Sequence, residues 1–388
     1  MIRSFMIICG ICVLAFAQTQ KLSEMMQFID ASLNPSGGNC SGLEFVISDM
    51  GTGGGFAAHM QLAASEWMRA FKLVNFEKPV IIIGHIWRYS EGRECKKSGY
   101  DWTCFFQPMS RCQNELLKSG KQIQVQTQSV ELDDKLVPER FRELGLWPWW
   151  GAIQAYMFHR MQPRVLAYVA ERSVAANFPY LLPALPYSGN NIHNLFNIST
   201  AQTGTGPVAG LHVRHGDKSS DGFRHHSLSS QAAHIIKSNE CLKETNWSRS
   251  GSTACIVTDA EGKFSQIPVF VASDDPKVVK AAEQAGFTTL HSSLSLQTAD
   301  RGMFAELGSH PEMGFNASLE IIADIFLLSR CSTLIGIASS QVFRMAADLS
   351  MAAGTLHYLV AMDHDQLPRM HAMSRKYHLP TPERFEAP

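Results

Sequence analysis

Residues 207–218 read PVAGLHVRHGDK, a mostly apolar run that ends in a charged loop. The apolar part predicts a strand buried on both faces, as in a parallel sheet covered by helices. Arg214 comes where this strand would end, and Asp217 and Lys218 follow it. Ligands of such sheets bind outside the carboxyl ends of the strands, where a guanidinium can hold a diphosphate with two hydrogen bonds. The stretch therefore predicts an α/β fold with an anion site at this strand end, and the alternative is an exposed turn of mixed charge.

Strand and helix patterns alternate along the rest of the chain, which is typical of α/β proteins with parallel sheets. Residues 186–206 are rich in Gly, Asn, Ser and Thr and predict the junction between two doubly wound units, 25–205 and 206–388. Ligands would bind in the cleft between these units. The predicted strands are 43–48, 79–84, 207–214, 267–273, 288–292 and 332–338. One predicted helix follows the glycine-rich turn at 51–55. The others span 138–169 (with breaks at Pro148 and Pro163), 229–238, 274–286, 317–331 and 339–354.

The first 20 residues, MIRSFMIICGICVLAFAQTQ, have the pattern of a secretory signal peptide. Arg3 precedes an apolar run, and small residues at Ala15 and Ala17 fit a cleavage site, so residues 1–17 are predicted to be removed. The run is shorter than the roughly 20 residues of a membrane span, and a short uncleaved anchor is the alternative. Four sequons agree with a glycoprotein of the secretory pathway, in the Golgi lumen or secreted. The sequons begin at Asn39, Asn197, Asn246 and Asn316.

Seven cysteines remain after the signal peptide, and none lies in a CxxC pair, so disulfides are favoured over structural zinc. Proximity in sequence pairs Cys95 with Cys104, and Cys241 with Cys255. The formal net charge is −1, which gives no overall field for binding nucleic acid or an anionic membrane. No nucleic-acid partner is therefore predicted, and any anion site must be local.

A glycine-rich turn, GTGGGFAAH at 51–59, joins the first strand to its helix. Such glycines let backbone N–H groups approach a phosphate, and the helix N-terminus adds positive potential. Gly53 and Gly55 fit the dinucleotide pattern GxGxxA. The next strand ends in Gly84 without an acid to hold a ribose, which excludes NAD. The turn is predicted to bind phosphate, and a plain strand-to-helix turn is the alternative.

Two further patterns separate a phosphate site from a metal site. The segment SSQVFR at 339–344 places serines at a helix start, where N–H groups and hydroxyls can bind a second phosphate or simply cap the helix. Asp274 and Asp275 are interpreted as a helix cap, because Pro276 follows in the first turn. The DHD segment at 363–365 follows no convincing strand, so no metal site is predicted. The absence of a nucleophile elbow disfavours a hydrolase.

The order of these motifs resembles the α-1,6-fucosyltransferases, that is, the eukaryotic core-fucosylating enzymes and their bacterial chitin-oligosaccharide relatives. The similarity runs from about Gly51 to Ser350, and GLHVRHGDK is similar to the family's diagnostic His-Val-Arg-Arg-x-Asp-Lys. The resemblance also implies a disulfide between Cys40 and Cys112, which leaves Cys331 with a free thiol. The other similar segments are GGGFAAHMQLA (53–63), IWRYSEG (86–92), FFQPMSRC (105–112), WWGAIQAYMFHRMQP (149–163), VFVASDDP (269–276), NASLEIIADIFLLS (316–329) and SSQVFRMA (339–346).

The resemblance implies a GT-B-like fold, with two Rossmann-like units facing a central cleft. It implies GDP-fucose as donor, transfer with inversion, and no required metal or other cofactor. In this chain His212 and Asp324 would recognise guanine, and Asp217 and Lys218 would shape the catalytic loop. The residues implied to hold the diphosphate and ribose are Gly53, Gly55, Tyr89, Arg214, Ser340 and Gln341.

Two positions depart from the family's pattern. His215 stands where the family has a second arginine, which replaces a fixed cation by a titratable one. The family's catalytic glutamate comes ten residues after the signature histidine, where this chain has Gly222 with Asp221 beside it. We predict that Asp221 is the catalytic base, and the alternative is that the base is lost.

The predicted function is transfer of fucose from GDP-fucose to a hydroxyl of N-acetylglucosamine in a glycan or glycoprotein, with α-1,6 linkage to an N-glycan core. A base accepts the acceptor proton, while a guanidinium and backbone amides stabilise the departing diphosphate. One alternative is another acceptor, such as a protein serine or threonine or a chitin-like oligosaccharide. The other is a secreted protein that binds a GDP-sugar or glycan without turnover. The predicted catalytic residues are Arg214, Asp217, Lys218 and Asp221.

Overall fold

The structure of the chain is a computed structural model, and it has the α/β class that the sequence predicts. The described residues include one sheet of three strands and one of five, both built from parallel strands that alternate with helices. The residues described are 21–34, 40, 43–48, 55–78, 80–84, 88–90, 93–99, 101–123, 134–178, 208–213, 269–273, 276–284, 289–290, 314–331, 333–337, 340–353 and 358–361.

The described elements follow the predicted alternation of strand and helix. The strands are β1 (Glu44–Ser48), β2 (Val80–Gly84), β3 (Lys121–Gln122), β4 (Ala209–Val213), β5 (Val269–Ser273), β6 (Thr289–Leu290), β7 (Thr333–Gly336) and β8 (Tyr358–Ala361). The α-helices are α1 (21–33), α2 (Phe56–Leu73), α3 (Gln113–Ser119), α4 (Leu146–His159), α5 (Pro163–Ala175), α6 (Pro276–Gln284), α7 (Gly314–Leu328) and α8 (Gln341–Ala353). The 3₁₀ turns are Arg88–Ser90, Arg93–Ser98, Trp102–Cys104, Asp134–Leu136 and Glu139–Phe141.

The smaller sheet lies in the N-terminal part and has the order β2-β1-β3. β1 and β2 read EFVIS and VIIIG and are almost wholly buried, as parallel strands covered on both faces require. α2 connects them, and the indole N–H of its Trp67 donates a hydrogen bond of 2.8 Å to the Val80 carbonyl. This connection places Gly55, directly before α2, in the segment that leaves the carboxyl end of β1.

The larger sheet has the order β6-β5-β4-β7-β8, with every pair parallel. In chain order this is 3-2-1-4-5, so the sheet grows outward from β4 in both directions. That is the order of a Rossmann-like doubly wound unit, and its topological switch point lies between β4 and β7. Ligands of such sheets bind at the carboxyl ends of the strands on either side of this point. The end of β4 at Val213 and the start of α8 at Gln341, after β7, both belong to this edge.

Close packing of α4 against α8 joins the two parts of the chain. Gly151 in α4 allows this contact, because a Cβ at that position would lie 2.8 Å from the Asp348 carbonyl oxygen and 2.9 Å from Cβ of Ala352. The buried Asp348 carboxylate accepts a hydrogen bond of 3.0 Å from the Gln154 amide. Apolar side chains of α7 and α8 share one hydrophobic cluster with α1, α2, α4 and α5. Both C-terminal helices are therefore anchored on the N-terminal part.

Three local features differ from the sequence-based expectation. Pro148 lies within the first turn of α4 and does not break it, because N–H groups in the first turn have no partner inside the helix. Pro163 does separate α4 from α5, as predicted, and α5 continues to Ala175. β3 and β8 were not predicted from the sequence. Since β8 ends at Ala361, the DHD segment at 363–365 does follow a strand.

The cysteine assignments can be compared with the structure at five positions. The predicted disulfides Cys40–Cys112 and Cys95–Cys104 are both present. Cys331 has a free thiol, as predicted, and is fully buried. The remaining predicted pair, the signal peptide, the helix at 229–238 and the junction at 186–206 lie outside the described residues. Within the described residues, no helix combines the length and the apolar character that crossing a membrane requires.

Candidate functional site

The carboxyl ends of β4 and β7 bring one set of predicted site residues together. His212 is the penultimate residue of β4, is buried, and lies with its ring 6.3 Å from that of Phe343 in α8. Gly336 ends β7, and a Cβ there would lie 2.6 Å from the Phe343 ring and 3.0 Å from the His212 carbonyl oxygen. The glycine therefore lets the start of α8 approach the end of β4.

The N-terminus of α8 lies at the same edge. Ser340 precedes the helix, is buried, and accepts a hydrogen bond of 3.1 Å from the Arg344 N–H through its carbonyl. Gln341 is the first helical residue, and no acid occupies the first turn to satisfy the positive helix end. Within the described part of the chain, Oε1 of Gln341 accepts no hydrogen bond. Such a helix N-terminus at a switch point favours an anionic ligand.

A second set of predicted residues lies at the start of α2. Tyr89 is buried, and its ring meets that of Phe56 edge to face at 5.7 Å. A Cβ at Gly55 would lie 3.8 Å from the Tyr89 hydroxyl, so the glycine-rich turn and the tyrosine are neighbours. The Ser318 hydroxyl of α7 lies 3.2 Å from the Tyr89 carbonyl oxygen, to which it can donate. This contact ties the Tyr89 segment to the helix that also carries Asp324.

Asp324 belongs to a buried ionic cluster between α5 and α7. The Arg172 guanidinium lies 3.0 Å from Glu320 through Nη1 and Oε2, and 3.2 Å from Asp324 through Nη2 and Oδ1. The Tyr168 hydroxyl donates a hydrogen bond to the other oxygen of Glu320. The exposed fractions of the side chains are 3% for Arg172, 7% for Glu320 and 21% for Asp324. The cluster thus has an inner end at Glu320 and a more exposed end at Asp324.

The electrostatics of the cluster follow from this burial. Burial raises the pKa of Glu320 to about 7, and the Arg172 cation and the Tyr168 hydrogen bond oppose that rise only in part. Burial, followed by the bond to Glu320, raises the pKa of Tyr168 well above its usual range. The tyrosine therefore remains a donor, and Glu320 changes charge near neutral pH.

Sequence reasoning did not single out Arg172, Tyr168 or Glu320. One signal was present: Glu320 and Asp324 are four residues apart in an otherwise apolar helix, and Tyr168 and Arg172 have the same spacing in α5. Charged groups on the buried face of a helix need a partner. Residues four apart lie on one face of a helix, so Tyr168 and Arg172 on α5 can contact Glu320 and Asp324 on α7.

The predicted site residues divide into those that the structure describes and those that it does not. His212, Ser340 and Gln341 lie together at the sheet edge, and Gly55 and Tyr89 lie together at the start of α2. Among the described residues, no three His, Cys, Asp or Glu side chains form a group that suits a metal ion. The predicted residues outside the described ranges are Gly53, Arg214, His215, Asp217, Lys218, Asp221 and Gly222, and their roles stay predictions.

No protein-family model matches the chain, and no curated protein matches its sequence. Solved structures do match it by shape. The α-1,6-fucosyltransferase NodZ co-crystallised with GDP is 15% identical with a TM-score of 0.42, over 83% of this chain and 96% of that chain. The fucosyltransferase NodZ from Bradyrhizobium is 14% identical with a TM-score of 0.42, over 83% and 96%. POFUT1 in complex with GDP is 10% identical with a TM-score of 0.33, over 83% and 98%.

The C-terminal unit is a Rossmann-like unit on its own sheet order, 3-2-1-4-5, with a helix N-terminus at the switch point. These features define a doubly wound α/β unit with a helix N-terminus that favours an anionic ligand at its switch point.

Proposed function

We propose that the chain is a glycosyltransferase that transfers fucose from GDP-fucose, with its two parallel sheets arranged as the two units of a GT-B-like fold. The observation that carries the proposal is the position of the signature that begins at His212. His212 and Val213, the first two residues of the signature HVRHGDK, end β4 at the switch point of the larger sheet, and Arg214 follows them in the sequence. Ligands of such sheets bind at the switch point, where an arginine can hold a diphosphate with two hydrogen bonds.

In this proposal the nucleotide lies across the edge formed by β4, β7 and α8. His212 and Asp324 bind guanine. Ser340 and Gln341 bind the diphosphate and ribose together with the positive end of α8, which the described geometry supports. Arg214 supplies the cation. The remaining donor contacts are proposed for Gly53, Gly55 and Tyr89.

The proposed reaction is a direct displacement that inverts the fucose carbon. Asp221 takes the proton of the acceptor hydroxyl as that oxygen attacks, and the bond from fucose to the diphosphate breaks. Negative charge then grows on the departing GDP. Arg214 and the α8 N-terminus stabilise it electrostatically, with Asp217 and Lys218 shaping the loop, and no divalent ion is needed.

The proposed acceptor is an N-acetylglucosamine hydroxyl of a glycan, through an α-1,6 linkage to the N-glycan core. The proposed place of action is the secretory pathway, in the Golgi lumen or outside the cell. A binding protein without turnover is the second candidate, because Gly222 replaces the glutamate of the family pattern. GDP binding without fucose transfer to any acceptor would favour this candidate.

A donor and acceptor screen tests the proposal. Purified protein is incubated with labelled GDP-fucose, defined N-glycans ending in N-acetylglucosamine, chitin oligosaccharides and a serine/threonine peptide, with and without EDTA. We expect transfer to an N-glycan, unaffected by EDTA. Arg214→Ala should abolish both GDP binding and transfer, whereas Arg142→Ala, at a half-exposed arginine far along the chain, should change neither. Failure to bind GDP at all would contradict both the proposed transferase and a GDP-sugar-binding protein without turnover.

A further inference from the structure

We propose that Arg172 is a positioning residue for nucleotide binding, because it holds the Asp324 carboxylate in place for a guanine base. The inference rests on the proposed function, which assigns Asp324 to guanine. Arg172 belongs to the N-terminal part of the chain, and no motif of the sequence pointed to it. Its role would be to act through Asp324 without touching the nucleotide.

The geometry places one guanidinium between two carboxylates of the same helix. Glu320 and Asp324 are four residues apart, so they lie on one face of α7. Arg172 reaches this face from α5 and contacts Glu320 at 3.0 Å and Asp324 at 3.2 Å through different nitrogens. The planar, rigid fork of arginine suits two such contacts, and a lysine ammonium does not reproduce them.

The two ends of the cluster differ in how far they are buried. Arg172 and Glu320 are almost completely buried, whereas 21% of the Asp324 side chain is exposed. Tyr168 holds the inner carboxylate by a hydrogen bond from its hydroxyl. The inner end therefore fixes the guanidinium, and the guanidinium in turn fixes the more exposed carboxylate.

A carboxylate held in this way suits guanine. The base carries N1–H and a 2-amino group side by side on one edge, and a carboxylate offers two oxygens that each accept more than one hydrogen bond. A carboxylate oxygen that accepts a hydrogen bond from a guanidinium, as Oδ1 of Asp324 does, can accept a second one. Adenine has no donor at N1 and no 2-amino group, so an ionised and oriented Asp324 selects against it.

Glu320 distinguishes this role from a purely structural one. When Glu320 is charged, it shares the Arg172 cation with Asp324; when it is neutral, the cation acts on Asp324 alone. Burial raises the pKa of Glu320 to about 7, so the protein already tolerates the neutral form. Glu320→Gln should therefore preserve or strengthen guanine binding, whereas loss of Arg172 should weaken it. If the cluster served only the stability of the fold, both Glu320→Gln and the loss of Arg172 would be expected to weaken binding.

The test measures binding by calorimetry with three probes: GDP, inosine diphosphate, which lacks the 2-amino group, and inorganic diphosphate. The variants are Arg172→Gln, Arg172→Lys, Glu320→Gln and Asp324→Asn, with Glu171→Gln as a matched control at an exposed residue of α5. Arg172→Gln should weaken GDP binding about tenfold and lower the preference for GDP over inosine diphosphate, since a hydrogen bond to a charged group is lost. Binding of inorganic diphosphate should not change.

Non-additivity is the second readout. Adding Arg172→Gln to Asp324→Asn should cost nothing further, because the arginine acts through the carboxylate. Arg172→Lys should lower the preference for GDP over inosine diphosphate less than Arg172→Gln does. If the glutamine variant does not fold, the preference measured for Arg172→Lys tests the positioning role. An unchanged GDP preference in the Arg172 variants, or an equal loss for all three probes, overturns the proposal.

The outcomes also separate this proposal from the proposed function. If wild-type protein binds no GDP, both fail. If it binds GDP and Asp324→Asn keeps the full preference over inosine diphosphate, then the role of Asp324, and with it that of Arg172, is wrong while the proposed function stands. If Asp324→Asn loses the preference and the Arg172 variants keep it, only the positioning role is wrong.

Discussion

Replacing Gly336 by alanine tests how closely α8 must approach the end of β4. A Cβ at this position would lie 2.6 Å from Cδ2 of Phe343 and 3.0 Å from the His212 carbonyl oxygen. Non-bonded carbons are ordinarily about 3.5–4.0 Å apart, so the Phe343 ring would have to move by about 1 Å. This ring is fully buried, and its movement strains the packing around it. Overpacking of this kind costs roughly 1–3 kcal/mol, and we expect about 2 kcal/mol for Gly336→Ala.

Urea unfolding followed by tryptophan fluorescence measures this loss. Gly55→Ala is a matched control for stability, because the nearest atom to its Cβ among the described residues would be the Tyr89 hydroxyl oxygen, at 3.8 Å, and its φ of −73° is ordinary for any residue. The control should change the free energy of unfolding by less than about 0.5 kcal/mol. If Gly336→Ala is as mild as the control, the close approach of α8 to β4 is wrong.

A double-mutant cycle identifies the cause. Phe343→Leu removes part of the ring that the new methyl group would strike. It should therefore cost about 1 kcal/mol less in the Gly336→Ala background than in the wild-type protein. Additive losses would refute the overlap with Phe343 as the source of the strain.

Two further predictions concern stability. Replacing the Cys40–Cys112 disulfide by serines should lower the free energy of unfolding by about 4 kcal/mol, against about 2.5 kcal/mol for Cys95–Cys104, because their sequence separations are 72 and 9; equal losses in urea unfolding would contradict the loop-length argument. Burial lowers the pKa of His159 from 6.5 to about 4, so its stabilising contribution is complete above pH 6.5 and is lost as the pH falls to 4. His159→Gln should then reduce the fall in unfolding free energy over that interval by up to about 3 kcal/mol, and equal slopes for variant and wild type would show that this histidine does not titrate as described.

The central strands could be predicted because burial on both faces leaves a local signal. EFVIS and VIIIG are continuous apolar runs, and a pattern of helical period lies between them. β3 has no such signal, because Lys121 and Gln122 are polar and exposed and lie at an edge of β1. Pro148 was placed wrongly because the sequence does not show whether a proline falls in a first turn or further inside a helix.

The candidate site divides in the same way. His212 and Ser340 could be placed at strand and helix ends from local patterns alone. The pairing of Arg172 with Asp324 joins residues 152 positions apart, and no local pattern specifies which helices meet. The i, i+4 spacing on each helix shows that a charged face exists, and only the packing of α5 on α7 shows that the two faces satisfy each other.

The polar groups of α7 explain why nucleotide binding should require both parts of the chain. α7 is apolar and buried on most sides, and it precedes β7 in the larger sheet. The Ser318 hydroxyl lies 3.2 Å from the Tyr89 carbonyl oxygen, and Glu320 and Asp324 contact Arg172 of α5, so each of these side chains has a contact in the N-terminal part. Without that part, Glu320 and Asp324 would lose their contacts with the Arg172 cation, and a buried carboxylate that loses its ion-pair partner is costly. The orientation of Asp324 is thus a property of the contact between the two parts, and a Rossmann-like sheet alone would not supply it.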